Sequence, residues 1–104
     1  MELMATHDGD RVRFELSGEI DERGAISLNE EFQKQDKSSF RELVLDFLRV
    51  DYISSSGIGQ LILFYKEMAT SGGSVRIENA SREVRELLLD LDIDKVIEVS
   101  GTMT

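Results

Sequence analysis

The chain has 104 residues, 40% of them hydrophobic, which is enough for one domain with one modest core. Its 12 basic and 21 acidic residues give a net charge of −9, a sign that repels nucleic-acid phosphates and anionic membrane surfaces. The absence of cysteine excludes disulfides, thiolate catalysis and zinc–cysteine sites, and a single histidine, His7, cannot form a multi-histidine metal cluster. We therefore expect neither nucleic acid nor a membrane among its partners.

No segment has the features of a membrane span or an export signal. The longest run of large apolar residues, 61–65, is far shorter than the roughly 20 residues that span a bilayer. Met1–Met4 contains neither a basic region nor the apolar region of a signal peptide. We expect a cytoplasmic location, provided that the chain is complete.

The N-terminal half predicts three strands and one helix. Met1–Thr6 can pair as a hairpin with a second strand in which apolar and charged residues alternate. The apolar residues of that strand are Val12, Phe14 and Leu16. A helix over Ala25–Lys37 is expected to expose much of its surface, because its apolar residues are sparse. They are Ile26, Leu28 and Phe32. The continuous apolar run Leu43–Phe47 predicts a central strand.

The C-terminal half predicts two helices and two strands. From Ile58 to Ala69 apolar residues recur at helical spacing, and Gly72–Gly73 ends the pattern. The stripe expected to be buried is Ile58, Leu61, Ile62 and Tyr65. A strand around Val75–Glu78 precedes a helix capped by Ser81. Its expected buried stripe is Val84, Leu87, Leu88 and Leu91. Val96–Val99 predicts the last strand, before a frayed tail at residues 100–104.

The order of these elements predicts an α/β fold in one domain spanning residues 1–104. Every connection from the second strand onward is long enough to contain a helix, so the sheet of about five strands is mixed but mainly parallel. Right-handed crossovers between successive neighbouring strands would place the helices chiefly on one face.

The segment Asp51–Gly59 carries the candidate functional residues, because three serines stand where a strand meets a helix start. The first N–H groups of a helix lack intrahelical acceptors, and the helix dipole is positive there, so a phosphate on Ser54, Ser55 or Ser56 would be stabilised. Gly57 and Gly59 would let another chain approach the backbone closely. On spacing alone, the commoner explanation is that one serine caps the helix and the glycines only turn the chain.

A serine hydrolase is disfavoured by the residues around the serines. The Gly-x-Ser-x-Gly motif needs a glycine on both sides of the nucleophile, whereas Ile53 and Ser54 precede Ser55 and Ser56. The only histidine, His7, lies on a predicted edge strand.

Four stretches resemble STAS domains, and within them the bacterial anti-sigma factor antagonists. They are residues 17–21, residues 44–46 leading into 52–59, residues 72–74, and residues 78–81. Their order and spacing extend over nearly the whole chain and imply a non-enzymatic domain that needs no cofactor. Asp92 departs from the glycine common at its position in these domains, and we expect it to tolerate a left-handed helix stop.

The resemblance also assigns roles to individual residues. In the antagonists the motif reads Asp-Ser-Ser-Gly or Asp-Ser-Thr-Gly, and the hydroxyl after the aspartate is phosphorylated. Matching the glycines puts this role on Ser55, with Ser56 as the second choice, and Ser54 at the position of the aspartate. That departure leaves open which serine is modified. Asp21 is implied to lie near the phosphoacceptor and to contribute to partner binding or phosphorylation; otherwise it is a turn aspartate.

An apolar docking patch is a further prediction from the long helix. At about 100° per residue, Leu63 and Phe64 point away from the predicted buried stripe, toward the side that carries Gln60 and Glu67. The alternative is that they pack against a neighbouring helix or the C-terminal tail. The predicted partner-binding residues are Asp21, Ser54, Ser56, Gly57, Ile58, Gly59, Leu63 and Phe64.

The resemblance implies a partner-switching mechanism. The unphosphorylated protein would bind an anti-sigma factor or related regulator with a GHKL-type serine kinase domain. Phosphorylation would release that partner, and a PP2C-type phosphatase would restore binding. The same switch, or a constitutive scaffold, can instead control a non-sigma output such as polysaccharide production or a signalling enzyme. The free protein is expected to be a monomer, although an exposed Leu63–Phe64 patch can support weak self-association.

Overall fold

The computed structural model describes residues 1–101. Its strands are β1 (Glu2–Asp8), β2 (Arg11–Ile20), β3 (Glu42–Ile53), β4 (Ser74–Ala80) and β5 (Glu98–Gly101). Its helices are α1 (Glu22–Lys34), α2 (Ser55–Thr70) and α3 (Arg82–Asp90), followed by a 3₁₀ turn at Ile93–Lys95. The strands form one sheet in the order β1-β2-β3-β4-β5, in which only the β1–β2 pair is antiparallel. The predicted α/β fold with a mainly parallel five-stranded sheet is therefore confirmed.

The helices cover one face of the sheet, as sequential strand order and right-handed crossovers predict. The side chains that the strands turn toward the helices are fully or almost fully buried. They include Val12, Phe14, Leu16, Leu43, Leu45, Phe47, Val75 and Ile77. The alternating residues on the other face are mostly charged, since successive strand residues point to opposite sides. No helix of residues 1–101 is long and apolar enough to cross a membrane.

A network of ion pairs covers the face of the sheet that has no helices. Arg13 donates to Glu78 Oε1 at 2.7 Å and to Asp46 Oδ2 at 2.9 Å. Arg76 pairs with Glu78 Oε2 at 2.7 Å from the opposite side. Val44 lies in register between Arg13 and Arg76 and is 0% exposed, so the stems of the two arginines shield it from water.

Asp46 is the most strongly held carboxylate of this network. Its Oδ1 accepts hydrogen bonds from the Leu48 N–H at 3.0 Å and from the Asn79 amide at 3.1 Å, while Oδ2 accepts from Arg13. Burial opposes ionisation of Asp46, but these hydrogen bonds and the charge of Arg13 outweigh it and hold its pKa below the ordinary value. The Asn79 backbone is left-handed, with φ of 60°, which asparagine tolerates better than most residues.

We expect Asp46→Asn to lower the free energy of unfolding at pH 7 by about 1–3 kcal/mol, because Arg13 loses a charged partner. A carboxyl whose folded pKa is depressed stabilises the fold above its unfolded pKa, and this contribution is lost as pH falls through the folded pKa. The loss of unfolding free energy caused by the substitution should therefore reach its full size above about pH 4 and become smaller below that pH. Urea unfolding at pH 7 and pH 3 measures this. Asp51→Asn, at an exposed position of β3, is the control; an equal loss in both variants would contradict the prediction.

The structure corrects several predicted element boundaries. α1 begins at Glu22 rather than Ala25, because Asp21 caps it, and ends at Lys34 rather than Lys37. α2 begins at Ser55, three residues before the apolar pattern starts, and β5 begins at Glu98 rather than Val96. In each case a cap or a turn, and not the hydrophobic pattern, sets the boundary.

The C-terminal segment also departs from its prediction. Val84 and Leu88 are buried in α3, but Leu87 and Leu91 are 37% and 51% exposed, so the buried stripe is narrower than expected. Asp92 adopts φ of 60° between α3 and the 3₁₀ turn, and thus accepts the left-handed conformation expected for it. Residues 100 and 101 belong to β5 instead of a frayed tail; the rest of that predicted tail, 102–104, lies outside the described residues.

Candidate functional site

The candidate site lies where β2 and β3 end side by side. Ile20 and Ile53 are register partners at the ends of the two strands, and each strand leads into a helix one residue later. The Ser54 N–H donates to the Ile20 carbonyl oxygen at 2.9 Å, which ties the two connections together. Asp21 and Ser54 therefore occupy equivalent positions at one edge of the sheet, each before the first turn of a helix.

Both residues cap their helices. Asp21 Oδ1 accepts a hydrogen bond from the Gly24 N–H at 2.8 Å, and Ser54 Oγ accepts one from the Gly57 N–H at 3.2 Å. Both have extended backbone conformations, as capping residues do. The serine that caps α2 is therefore Ser54, and its oxygen is committed to the helix. The predicted contribution of Asp21 to partner binding stays a prediction alongside this capping role.

Ser55 and Ser56 are the first two residues of α2, and both are exposed. The first turn of this helix contains no acidic side chain. A phosphate on either serine would lie at the positive end of the helix dipole, near backbone N–H groups that have no intrahelical acceptor. The geometry is thus suited to carrying a phosphoryl group at Ser55 or Ser56.

A groove of about 510 Å³ separates the starts of α1 and α2, and sequence reasoning missed it. Its walls are formed by Glu22, Ala25, Ile26, Asn29 and Glu30 of α1 and by Ser56 and Gln60 of α2. Gln60 Nε2 donates to Asn29 Oδ1 at 3.1 Å across the groove. Ile26, one of the sparse apolar residues of α1, is 56% exposed here. Its spacing gave a signal: Ile26 falls outside the four-residue repeat of Gly24, Leu28 and Phe32 that is buried.

The predicted Leu63–Phe64 docking patch is wrong for Phe64. Phe64 is 0% exposed, and its ring lies 4.3 Å from that of Phe32, centroid to centroid. For Phe64, the predicted alternative of packing against a neighbouring helix is what the structure shows. The buried stripe of α2 is Gly57, Leu61, Phe64 and Met68, rotated from the predicted one. Leu63 is 52% exposed, and Ile58 is half-buried.

The two glycines of the serine segment have different surroundings. A Cβ on Gly57 would lie 2.6 Å from Ile53 Cγ1 and 2.9 Å from Ile20 Cγ2, so the chain's own strand ends fill this space. The expectation that Gly57 leaves room for another chain is therefore wrong. A Cβ on Gly59 would meet nothing within 4 Å, and that residue is exposed.

His7 is too far from the serines to act as their base. Its register partner is Val12, which pairs in turn with Leu43 near the start of β3. Ser54 follows the other end of that strand, so the histidine and the serines are separated by roughly 30 Å at about 3.3 Å per residue. The imidazole instead packs edge-on against Phe40, with ring centroids 6.2 Å apart.

The sheet is mixed, its strands lie in sequential order, and its helices cover one face. The serines stand at the helix start after the central strand. Together these features define a distinct class of small α/β domain. The family model described as the STAS domain matches residues 2–103. The chain therefore belongs to the STAS domain family.

Several solved structures share this fold. A putative anti-sigma factor antagonist from Thermotoga maritima superposes with a TM-score of 0.87 at 17% identity, covering 97% of this chain and 87% of its own. An anti-sigma factor antagonist from Mycobacterium paratuberculosis superposes with a TM-score of 0.83 at 21% identity, covering 98% of this chain and 86% of its own. The phosphorylated form of the Bacillus cell fate determinant SpoIIAA superposes with a TM-score of 0.76 at 16% identity, covering 96% of this chain and 92% of its own. At these identities the likeness shows the fold.

Proposed function

We propose that the protein is a phosphorylation-controlled partner-switching regulator of the bacterial cytoplasm, and that it is not an enzyme. The unphosphorylated form binds an anti-sigma factor or related regulator that carries a GHKL-type serine kinase domain. Phosphorylation of Ser55 releases that partner, and a PP2C-type phosphatase restores binding. The observation that carries this proposal is the exposed Ser55 at the first position of α2, next to a cap that Ser54 already provides.

The comparisons support the proposal at the level of the fold. SpoIIAA, which shares it, has been solved in both unphosphorylated and phosphorylated forms. That protein therefore accommodates a phosphate on this type of domain. In our proposal the corresponding group on this chain is attached at Ser55, with Ser56 as the second choice.

The chemistry of the switch belongs to the partner kinase. Ser55 Oγ forms a bond to the γ-phosphorus of the kinase's ATP, and the bond from that phosphorus to the bridging oxygen breaks. ADP leaves, and the hydroxyl proton passes to a base on the kinase or to water. The product places nearly two negative charges in the contact zone. Burying that charge unpaired costs about 2–5 kcal/mol, which weakens binding by orders of magnitude because each 1.4 kcal/mol is tenfold.

Ser55→Asp is expected to weaken binding of the anti-sigma kinase at least tenfold, and Ser55→Ala to preserve it. Aspartate carries one charge rather than two, so its effect is smaller than that of phosphate. Isothermal titration of candidate anti-sigma kinases from the same genome measures both affinities. Ser39→Asp is the matched control, since Ser39 is exposed in the loop before β3, at the opposite end of that strand from Ser54. A loss of affinity in Ser39→Asp as large as in Ser55→Asp would point to net charge alone.

The modified residue is identified by mass spectrometry of the protein from its host, with and without the kinase. We expect a kinase-dependent phosphate on Ser55. Absence of phosphate under every condition in which the kinase is active would overturn the switch.

A constitutive scaffold, in which the serines serve only to start the helix, is the second candidate, and Ser54 has such a structural use. A scaffold would bind its partner equally well as Ser55→Ala and Ser55→Asp. The identity of the candidate that binds in these titrations also distinguishes a sigma-factor pathway from a non-sigma output. Leu63, exposed on α2, and Gly59 stay candidates for partner contact, together with Asp21, Ser56 and the half-buried Ile58.

A further inference from the structure

Ser55 and Ser56 are adjacent in sequence but differ in their surroundings. Ser56 lines the groove between α1 and α2, opposite Glu22 and Glu30, whereas Ser55 is not part of the groove lining. Both glutamates are exposed. A phosphate on Ser56 would therefore share this groove with two carboxylates.

The acidic residues Asp21 and Asp51 are not part of the groove lining. α2 contains no charged residue before Lys66, so its own first two turns provide no compensation. Asp21 directly precedes α1, and Asp51 lies within β3, three residues before Ser54. One oxygen of Asp21 already accepts the Gly24 N–H, and both phosphates would share the dipole of α2. Glu22 and Glu30 are the charged residues of the groove lining, which includes Ser56 and not Ser55.

We infer that Glu22 and Glu30 act as specificity determinants that disfavour phosphate on Ser56 and direct the phosphoryl group to Ser55. The inference rests on the proposed function, since it concerns which hydroxyl the kinase modifies. Its physical basis is repulsion: carboxylates near a phosphate oppose its second ionisation and oppose the approach of the γ-phosphoryl group of ATP.

A titration of the two phosphoproteins tests the inference without any kinase. Phosphoserine is incorporated during synthesis at position 55 or at position 56, and the second pKa of each phosphate is followed by phosphorus NMR. We expect the Ser56 phosphate to titrate about half a pKa unit higher than the Ser55 phosphate, a shift typical of like charges at partly solvated sites. Combining Glu22→Gln with Glu30→Gln should lower the pKa at position 56 by a similar amount and change that at position 55 by less.

Glu83→Gln combined with Glu86→Gln is the matched control, because it removes two exposed negative charges from α3. It should leave both phosphate pKa values unchanged. The inference is overturned if the two phosphates titrate together, or if the groove and α3 variants shift the Ser56 phosphate equally.

The consequence for the kinase is measured separately in the host. Ser55→Ala should reduce total phosphorylation strongly, and adding the two groove substitutions should raise the phosphate on Ser56 several-fold. Failure of that increase, with wild-type Ser55 phosphorylated, contradicts the selectivity role alone. Absence of phosphate on the wild-type protein contradicts the proposed function, while the NMR titration still decides whether the groove disfavours a charge at Ser56.

Discussion

Phe64→Ala is expected to lower the free energy of unfolding by about 3–5 kcal/mol, the usual cost of removing a buried phenylalanine ring. Phe64 is fully buried, and its ring contacts Phe32 of α1, so the truncation leaves a cavity between the two helices that form the groove. A domain of this size has a total stability of about 5–15 kcal/mol, so the variant should be close to unfolding at elevated temperature. Urea denaturation followed by circular dichroism measures the loss.

Leu63→Ala is the matched control, because Leu63 is the preceding residue of the same helix and is 52% exposed. Its stability should change by no more than about 0.5 kcal/mol, as at ordinary surface positions. Equal losses in the two variants would show that Phe64 is not part of the core between α1 and α2. Since Leu63→Ala should keep the fold, any loss of partner affinity that it causes reports on the surface of α2.

Gly57→Ala and Gly59→Ala are expected to change stability in opposite directions. At Gly57 the new methyl group would overlap Ile53 and Ile20 and lie 3.2 Å from the Ile20 carbonyl oxygen, so the start of α2 must move. Overpacking of this kind costs about 1–3 kcal/mol. At Gly59 the methyl group enters open space in a helix, where alanine is favoured over glycine by about 1 kcal/mol. Thermal and urea unfolding of both variants measure the difference.

The Gly57 variant should also disturb the capping bond, because the Gly57 N–H is the donor to Ser54 Oγ. We therefore expect faster hydrogen exchange in the first turn of α2 in Gly57→Ala, and slower or unchanged exchange in Gly59→Ala. Stabilisation by both substitutions would mean that the strand ends of β2 and β3 can yield and do not fix the position of the helix start.

The sequence predicted the sheet well because the sheet depends on local patterns. Alternation of apolar and charged residues in β2 and β4 appears directly as alternating burial in the structure. Long connections forced parallel pairing, and chirality of the crossovers determined the covered face. The glycine pair after α2 and the left-handed Asp92 could be predicted from the sequence for the same reason, because the backbone conformation at a helix end selects residue types.

Which side of α2 is buried could not be predicted from a local pattern in this way. All positions from Ile58 to Met68 except Gln60, Lys66 and Glu67 are apolar or small, so the pattern permits more than one buried stripe. Contact with α1 selected the stripe that includes Phe64, because Phe32 meets it there. Ile26 is exposed between the same two helices, in the groove that Ser56 also lines.

In the serine segment, too, some features follow from the sequence and others only from the tertiary structure. The sequence by itself determined that hydroxyls stand at a helix start, since strand, serines and glycines follow one another within nine residues. Only the tertiary structure decided that Ser54 is the cap, that Ser56 borders an acidic groove and that Gly57 is required by the strand ends. For the groove and for the space at Gly57 the physical reason is distance along the chain: these two properties depend on Ile20, Glu22 and Glu30, more than twenty residues away, and a local pattern contains no information about which distant side chains will meet it.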